Sequence, residues 1–243
     1  MDAKYDSIGL DYANLRRPDP RIAKAIRAAL GDARSVLNVG AGAGSYEPED
    51  LDVTPLEPSQ AMIDQHPHRE RVVQSTADNL PFGDNSFDAS MALLTVHHWP
   101  DKRAGLHEMQ RVTRDRIVLL TFDPDFHDIW LLDYLPELAE LDAQQMPRMA
   151  DYSSWLGKHS VTPIMIPHDC SDGFLYAYWR RPAAYLDPQL RKGSSSFWAI
   201  DGVEAKLERL RADLESGEWQ HRYGHLLECE ELDLGYRLVV VEL

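Results

Sequence analysis

Three glycines spaced two apart, Gly40, Gly42 and Gly44, follow directly on the apolar run Val36-Leu37-Asn38-Val39. Without a Cβ the backbone can turn tightly and approach a ligand closely, and valine and leucine suit a buried parallel strand. Such a strand presents a nucleotide cofactor at its carboxyl end. The dinucleotide fingerprint G-x-G-x-x-G needs glycine at position 45, which is Ser45, so a pyrophosphate turn and a nicotinamide oxidoreductase are disfavoured. Glu57 closes a second strand-like run, Leu51 to Leu56, where a carboxylate can accept from both hydroxyls of a ribose. His97 and His98 end a third apolar run that begins at Ala92. With an unperturbed pKa of about 6.5, histidine can take a proton at neutral pH. Adjacent residues of an extended chain point to opposite sides, so one histidine at most is expected to face a substrate. Asp123, directly after the run Arg116 to Phe122, falls on the same rim and is a second candidate base. No third ligand at useful spacing accompanies the histidines, so no metal is expected.

These residues need a framework, and the patterning supplies one. Asp19 is the expected N-cap of a helix with Pro20 in its first turn, Ile22, Ile26 and Leu30 on one face and Gly31 at its end. Only Ser45 to Asp50 separates the glycines from the second strand, and Pro48 interrupts any helix there. Ser59 is expected to cap a helix that buries Met62 and Ile63 and stops at Pro67, and Arg71 to Gln74 reads as a third strand. A fourth strand from about Asp88 to Thr95 delivers the histidines. Asp101 caps a helix carrying Leu106, Met109 and Val112, and Arg116 to Phe122 is a fifth strand. A helical stretch from Ile129 to Leu141, a short strand from Val161 to Ile166 and a last strand from Gly235 to Val241 complete the pattern.

Residues from about 172 to 232 read as a helical insertion before that last strand, forming a cap. Its aromatics and arginines, among them Phe174, Tyr176, Tyr178, Trp179, Arg180 and Arg181, allow two readings. One is an acceptor pocket, with flat rings for an apolar body and arginine for a carboxylate; the other is the insertion's own core and surface. Within it, Asp201 and Glu204 have capping-box spacing ahead of Val203, Leu207, Leu210 and Leu214.

The 243 residues carry 40 acidic and 25 basic side chains, a net charge of −15, which argues against nucleic acid as a partner. Cys170 and Cys229 lack C-x-x-C spacing, and the first residues lack the apolar core of a signal peptide, so a cytoplasmic location is expected. No apolar run approaches the ~20 residues needed to span a bilayer, so no membrane partner is expected. Oligomeric state is left open.

Taken with the glycine strand and Glu57, the segments Thr76-Ala77-Asp78-Asn79-Leu80-Pro81-Phe82, Asn85-Ser86-Phe87-Asp88 and Ala92 to Trp99 resemble the class I S-adenosylmethionine-dependent methyltransferases. The resemblance is to the type 11, small-molecule branch that includes ubiquinone and menaquinone biosynthesis enzymes, and covers roughly residues 5 to 122. It implies an α/β, doubly wound, seven-stranded, mostly parallel sheet of Rossmann-like form with the helical cap before the last strand. It implies one methyltransferase domain over residues 1–243, with 1–20 as an N-terminal lid. By resemblance, S-adenosylmethionine is held by Tyr5, Tyr12, Asn38, Gly40, Ala41, Gly42, Glu57, Pro58, Ala77, Asp78, Asn79 and Leu94, and His97, His98 and Asp123 serve a small-molecule acceptor. Tyr5 and Tyr12 are equally read as packing tyrosines. Asn38 stands where the family commonly has a carboxylate near the cofactor's ammonium, a neutral acceptor in place of a charged one. Asn38 and the missing first helix support an alternative, a protein that binds S-adenosylmethionine without methylating.

Overall fold

The computed structural model describes residues 15–243, so Tyr5 and Tyr12 lie outside the described residues. Helix α1 (Pro20–Ala29) begins as the sequence predicts: the buried Asp19 carboxylate accepts the Arg21 N–H at 2.9 Å, and Leu30 and then Gly31 at φ +58° end it. Its Ile22 and Ile26 lie against the sheet. Strand β1 (Ser35–Val39) leads through the glycine turn to β2 (Asp52–Leu56) without an intervening helix, as Pro48 requires. Helix α2 (Gln60–Ile63), capped by Ser59, buries Met62 and Ile63. Strand β3 (Phe87–Leu93), helix α3 (Lys102–Val112) capped by Asp101, and strand β4 (Thr113–Phe122) follow. Then come α4 (Glu137–Gln145), α5 (Met149–Leu156) and β5 (His159–Pro167). Helices α6 (Pro188–Arg191), α7 (Val203–Ser216) and α8 (Glu218–Tyr223) precede the last strand, β6 (Glu231–Glu242).

Among the described residues the strands form one six-stranded sheet in the order β2-β1-β3-β4-β6-β5. The first four are parallel, and β6 runs antiparallel to both β4 and β5. Both faces are covered: along β4, Ile117 and Leu119 enter one apolar cluster while Val118 and Leu120 enter the other. Each such side chain contributes about 1.5–3 kcal/mol by leaving water. The strand ends facing the glycine turn are thereby fixed by a core on either side. No helix among the described residues is long and apolar enough to cross a membrane.

Four expectations change. The seven-stranded sheet is six-stranded among these residues, because the strand expected over Arg71 to Gln74 is a single parallel bridge between Leu56 and Val73. A 3-10 turn over Arg69–Arg71 consumes its start and another turn begins by Ala77, leaving room for only two ladder bonds: Val73 N–H to Pro55 O at 2.9 Å and Glu57 N–H to Val73 O at 3.1 Å. The helix expected over Ile129 to Leu141 is a 3-10 turn, Trp130–Asp133, followed by α4, with Pro136 between them. The capping box at Asp201 does not form: Gly202, left-handed at φ +69°, precedes α7 with no side-chain cap, and Glu204 is paired with Arg191 instead. Finally, the histidines are not on an extended strand. Leu94 at φ +52° breaks β3, and Val96–His98 is a 3-10 turn that brings the two rings to 3.8 Å between centroids.

Candidate cofactor and acceptor site

At the carboxyl ends of β1, β2 and β3 lies a cavity of about 330 Å³. Its floor is the glycine turn. Gly40 sits at φ +75°, and a Cβ there would strike Thr95 and approach its Cγ2 to 2.9 Å; only glycine satisfies both the turn and the packing. Gly42, at φ +55°, donates its N–H to Glu57 Oε2 at 2.9 Å, while Glu57 Oε1 accepts the Ser59 N–H at 2.9 Å. The end of β2 therefore braces the end of β1. Glu57 lines the cavity.

Asn38, nearly fully buried, also lines it. Its Nδ2 donates to Glu47 Oε1 at 2.9 Å. Since a carboxylate only accepts, this contact fixes the amide orientation and leaves Asn38 Oδ1 buried with no hydrogen-bond partner among the described residues. Behind it, His66 Nδ1 accepts the His68 N–H at 3.0 Å, which puts a neutral imidazole's proton on Nε2, 3.3 Å from Glu47 Oε2. Glu47 thus anchors the Asn38 amide, and Asn38 contributes to the cavity wall as a neutral side chain.

Between the glycine turn and β2, Tyr46 is buried and held at φ +65°. Its hydroxyl donates to Asp172 Oδ2 at 2.8 Å and accepts the Asp19 N–H at 3.3 Å. Asp172, fully buried, is bound by Arg16 through Nε at 2.6 Å and Nη2 at 3.2 Å. Burial, with Asp172 beside it, pushes the Tyr46 hydroxyl far above the ordinary tyrosine range. Arg16 and Tyr46 both line the cavity.

A second recess, about 60 Å³, adjoins the first, and Arg16, Leu94 and His98 belong to the walls of both. His97 lines the recess alone. The rings of Phe122, Phe174, Tyr176 and Tyr236 cluster around it, with Phe174 and Tyr236 centroids 4.6 Å apart. Asp142 of α4 also faces it, buried, and takes the Tyr176 hydroxyl at 3.0 Å. Burial pushes the Asp142 carboxyl up to about 7, opposed by that hydrogen bond.

Of the residues expected to hold the cofactor, the structure brings Asn38, Gly40, Ala41, Gly42, Glu57, Pro58, Ala77, Asp78 and Leu94 to one cavity. Asn79 is exposed and is not on its wall: its N–H closes a turn on Thr76 O. Asp123 lines neither space; its carboxylate lies 3.9 Å from Arg237 Nε across the β4–β6 pair. Arg180 and Arg181, carboxylate binders in one of the two readings of the insertion, bond the carbonyls of Cys229 and of Cys170 and Ala177. The sequence reading missed Arg16, Tyr46, Trp99 and Asp142. Asp142 did carry a signal, standing four residues after Leu138 on the buried face of α4.

Comparison with known proteins fits this geometry. The sequence pattern of the family described as "Methyltransferase domain" matches residues 37–120. A crystal structure described as that of a methyltransferase of an antibiotic biosynthesis pathway in Anabaena variabilis is 37% identical, with a TM-score of 0.88 over 95% of this chain and 100% of that one. This chain belongs to the class I S-adenosylmethionine-dependent methyltransferases of type 11, and S-adenosylmethionine is its cofactor. Among curated relatives, a demethylmenaquinone methyltransferase of Paenarthrobacter aurescens is 30% identical over 138 residues, 52% of this chain and 54% of the relative. A chloroplastic 2-methyl-6-phytyl-1,4-hydroquinone methyltransferase of Oryza sativa is 26% identical over 151 residues, 54% of this chain and 40% of the relative. The chain spans about half the length of the curated relatives it matches.

Proposed function

We propose that the protein transfers a methyl group from S-adenosylmethionine, bound in the larger cavity, to a small organic acceptor in the adjoining recess. The carrying observation is the shared wall: Leu94 and His98 belong to both spaces, so a group in one lies next to a group in the other. Methyl transfer from a sulfonium is an in-line displacement, for which a protein mainly supplies alignment. Glu57 would take the ribose hydroxyls, Ala77 and Asp78 the adenine, and Asn38 with the turn at Gly40 and Gly42 the amino-acid end. The recess has room for only a few heavy atoms, which supports a small reacting group.

The chain is read as one methyltransferase domain, and the helical segment around α6 to α8 as the cap over the acceptor side. Phe174, Tyr176 and the serines 194–196 come from that insertion and line the recess. Calorimetric titration with S-adenosylmethionine and S-adenosylhomocysteine, with NADH as control, tests the cofactor site. Formation of S-adenosylhomocysteine across a panel of amines, phenols, carboxylates and activated carbons tests turnover. Saturable binding without turnover across the panel would overturn the reading.

A further inference from the structure

Resting on the acceptor reading of the recess, we propose that Asp142 binds the protonated amine of the acceptor and takes its proton, so that the methylated atom is a nitrogen. Asp142 is buried among rings and forms no salt bridge with any described residue. Its donor is the neutral Tyr176 hydroxyl. Arg16, which also lines the recess, is bound to Asp172 by two hydrogen bonds. A buried carboxylate without a cation is costly, and a ligand bringing positive charge and N–H donors relieves that cost. Phe122, Tyr176 and Tyr236 also line the recess, and aromatic rings favour the same guest because they attract ammonium groups. A carboxylate-bearing guest would meet repulsion from Asp142 instead.

At about 60 Å³, where one water needs about 10–15 Å³, the recess holds an ammonium and a short alkyl stem. Burial holds the Asp142 carboxyl at about 7, so it can accept a proton near neutral pH; His97, His98, Arg16, Tyr176 and Tyr236 are the other titratable or charged groups facing the recess. In the step itself, one ammonium N–H bond breaks and its proton passes to an Asp142 carboxylate oxygen. The freed nitrogen lone pair forms the N–C bond as the S–C bond breaks, that pair remaining on sulfur. The methylated amine leaves as a cation, and Asp142 returns its proton to water.

The test uses n-propylamine, n-propanol and propionate as probes, followed by ligand-observed NMR and calorimetry, with and without S-adenosylhomocysteine. The expected result is binding of n-propylamine at least tenfold tighter than either neighbour. Asp142→Asn should weaken the amine tenfold or more while changing S-adenosylhomocysteine affinity less than twofold. Tyr176→Phe keeps the carboxylate and should keep the amine preference, which guards against an unfolded Asp142 variant. Equal or tighter binding of propanol or propionate, no amine binding, or undiminished amine binding by Asp142→Asn would overturn the proposal. Failure of S-adenosylhomocysteine to bind the wild type would instead count against the cofactor reading, and the amine titration without it would still decide this one.

Discussion

Gly42 donates its backbone N–H to Glu57 Oε2 at 2.9 Å, so the turn that ends β1 and the residue that ends β2 are held as one unit. Glu57 also takes the Ser59 N–H, at the start of α2. One carboxylate therefore braces the cavity floor and lines the cavity. Glu57→Ala removes both the brace and the proposed ribose acceptor, and should weaken S-adenosylhomocysteine binding at least 100-fold by calorimetry. Glu57→Gln keeps an acceptor for one N–H but loses the charge, and should fall between the two. Unchanged binding by Glu57→Ala would remove the cavity from the cofactor site.

Gly40 presses against Thr95 in a left-handed conformation. Gly40→Ala adds a conformational cost of roughly 1–2 kcal/mol to that clash. The expected outcome is at least a tenfold loss of cofactor affinity and a lower Tm. Adding Thr95→Ala removes Oγ1 and Cγ2 from the contact and should recover part of the Tm but not the backbone cost. A double variant no more stable than Gly40→Ala alone would show that the steric contact is not the cause.

The sheet's central strands were legible from the apolar runs Ile117–Leu120 of β4 and Leu238–Val241 of β6 and from Val36, Leu37 and Val39 of β1, and the caps at Asp19, Ser59 and Asp101 because each stands directly before its helix. What failed is local geometry set by distant packing. Whether Val72 to Gln74 joins β2 depends on turns at either side, and the rings of His97 and His98 come together because Leu94 takes a positive φ while its N–H bonds Leu120 O at 2.8 Å. Nothing in a single sequence announces that φ. Arg16 and Asp172 are 156 residues apart, and Asp142 meets Tyr176 across 34, so neither pair has a spacing to read. Nine of the expected cofactor residues reach the cavity because their motifs sit at strand ends, which the topology gathers on one edge.

Asp172 is fully buried, and Arg16 is 11% exposed. Removing one partner of a buried ion pair leaves the other charge uncompensated, typically at about 3–5 kcal/mol. Asp172→Ala should lower stability by about that much in urea titrations, and should also weaken the cofactor, because Arg16 and Tyr46 lose the anchor that sets them on the cavity wall. Tyr46→Phe deletes one hydrogen bond and should cost only about 1 kcal/mol. A stability loss in Asp172→Ala below that of Tyr46→Phe would contradict the buried-pair account.

Asp142 should make stability fall as pH rises. Its folded carboxyl titrates at about 7, against about 3.9 in an unfolded chain. Between those values the folded state holds a proton that the unfolded state has released, so the contribution is full below about pH 4 and is lost as pH rises through about 7. Asp142→Asn removes this dependence while keeping an acceptor for Tyr176. Relative to wild type, its Tm should be little changed at pH 4 and higher by several degrees at pH 8, where the ionised carboxylate costs at most about 4 kcal/mol. Parallel Tm curves for the two proteins across pH 4–8 would show that Asp142 stays ionised throughout.

His98 stands on the wall common to both spaces, with the His97 ring beside it at a 48° tilt and lining the recess alone. If His98 aligns the acceptor nitrogen with the methyl group, and Asp142 takes the proton, then loss of the ring should disturb position and not proton transfer. His98→Ala should lower kcat by roughly 10–100-fold, since small misplacements of reacting atoms are that costly. S-adenosylhomocysteine affinity should change by less than about threefold, because the glycine turn and Glu57 remain, and the pH profile of kcat should keep its shape. His97→Ala, one step further from the cofactor, should have the smaller effect. A flattened pH profile in His98→Ala would make that histidine the base, and wild-type turnover would place the reacting atoms elsewhere in the recess.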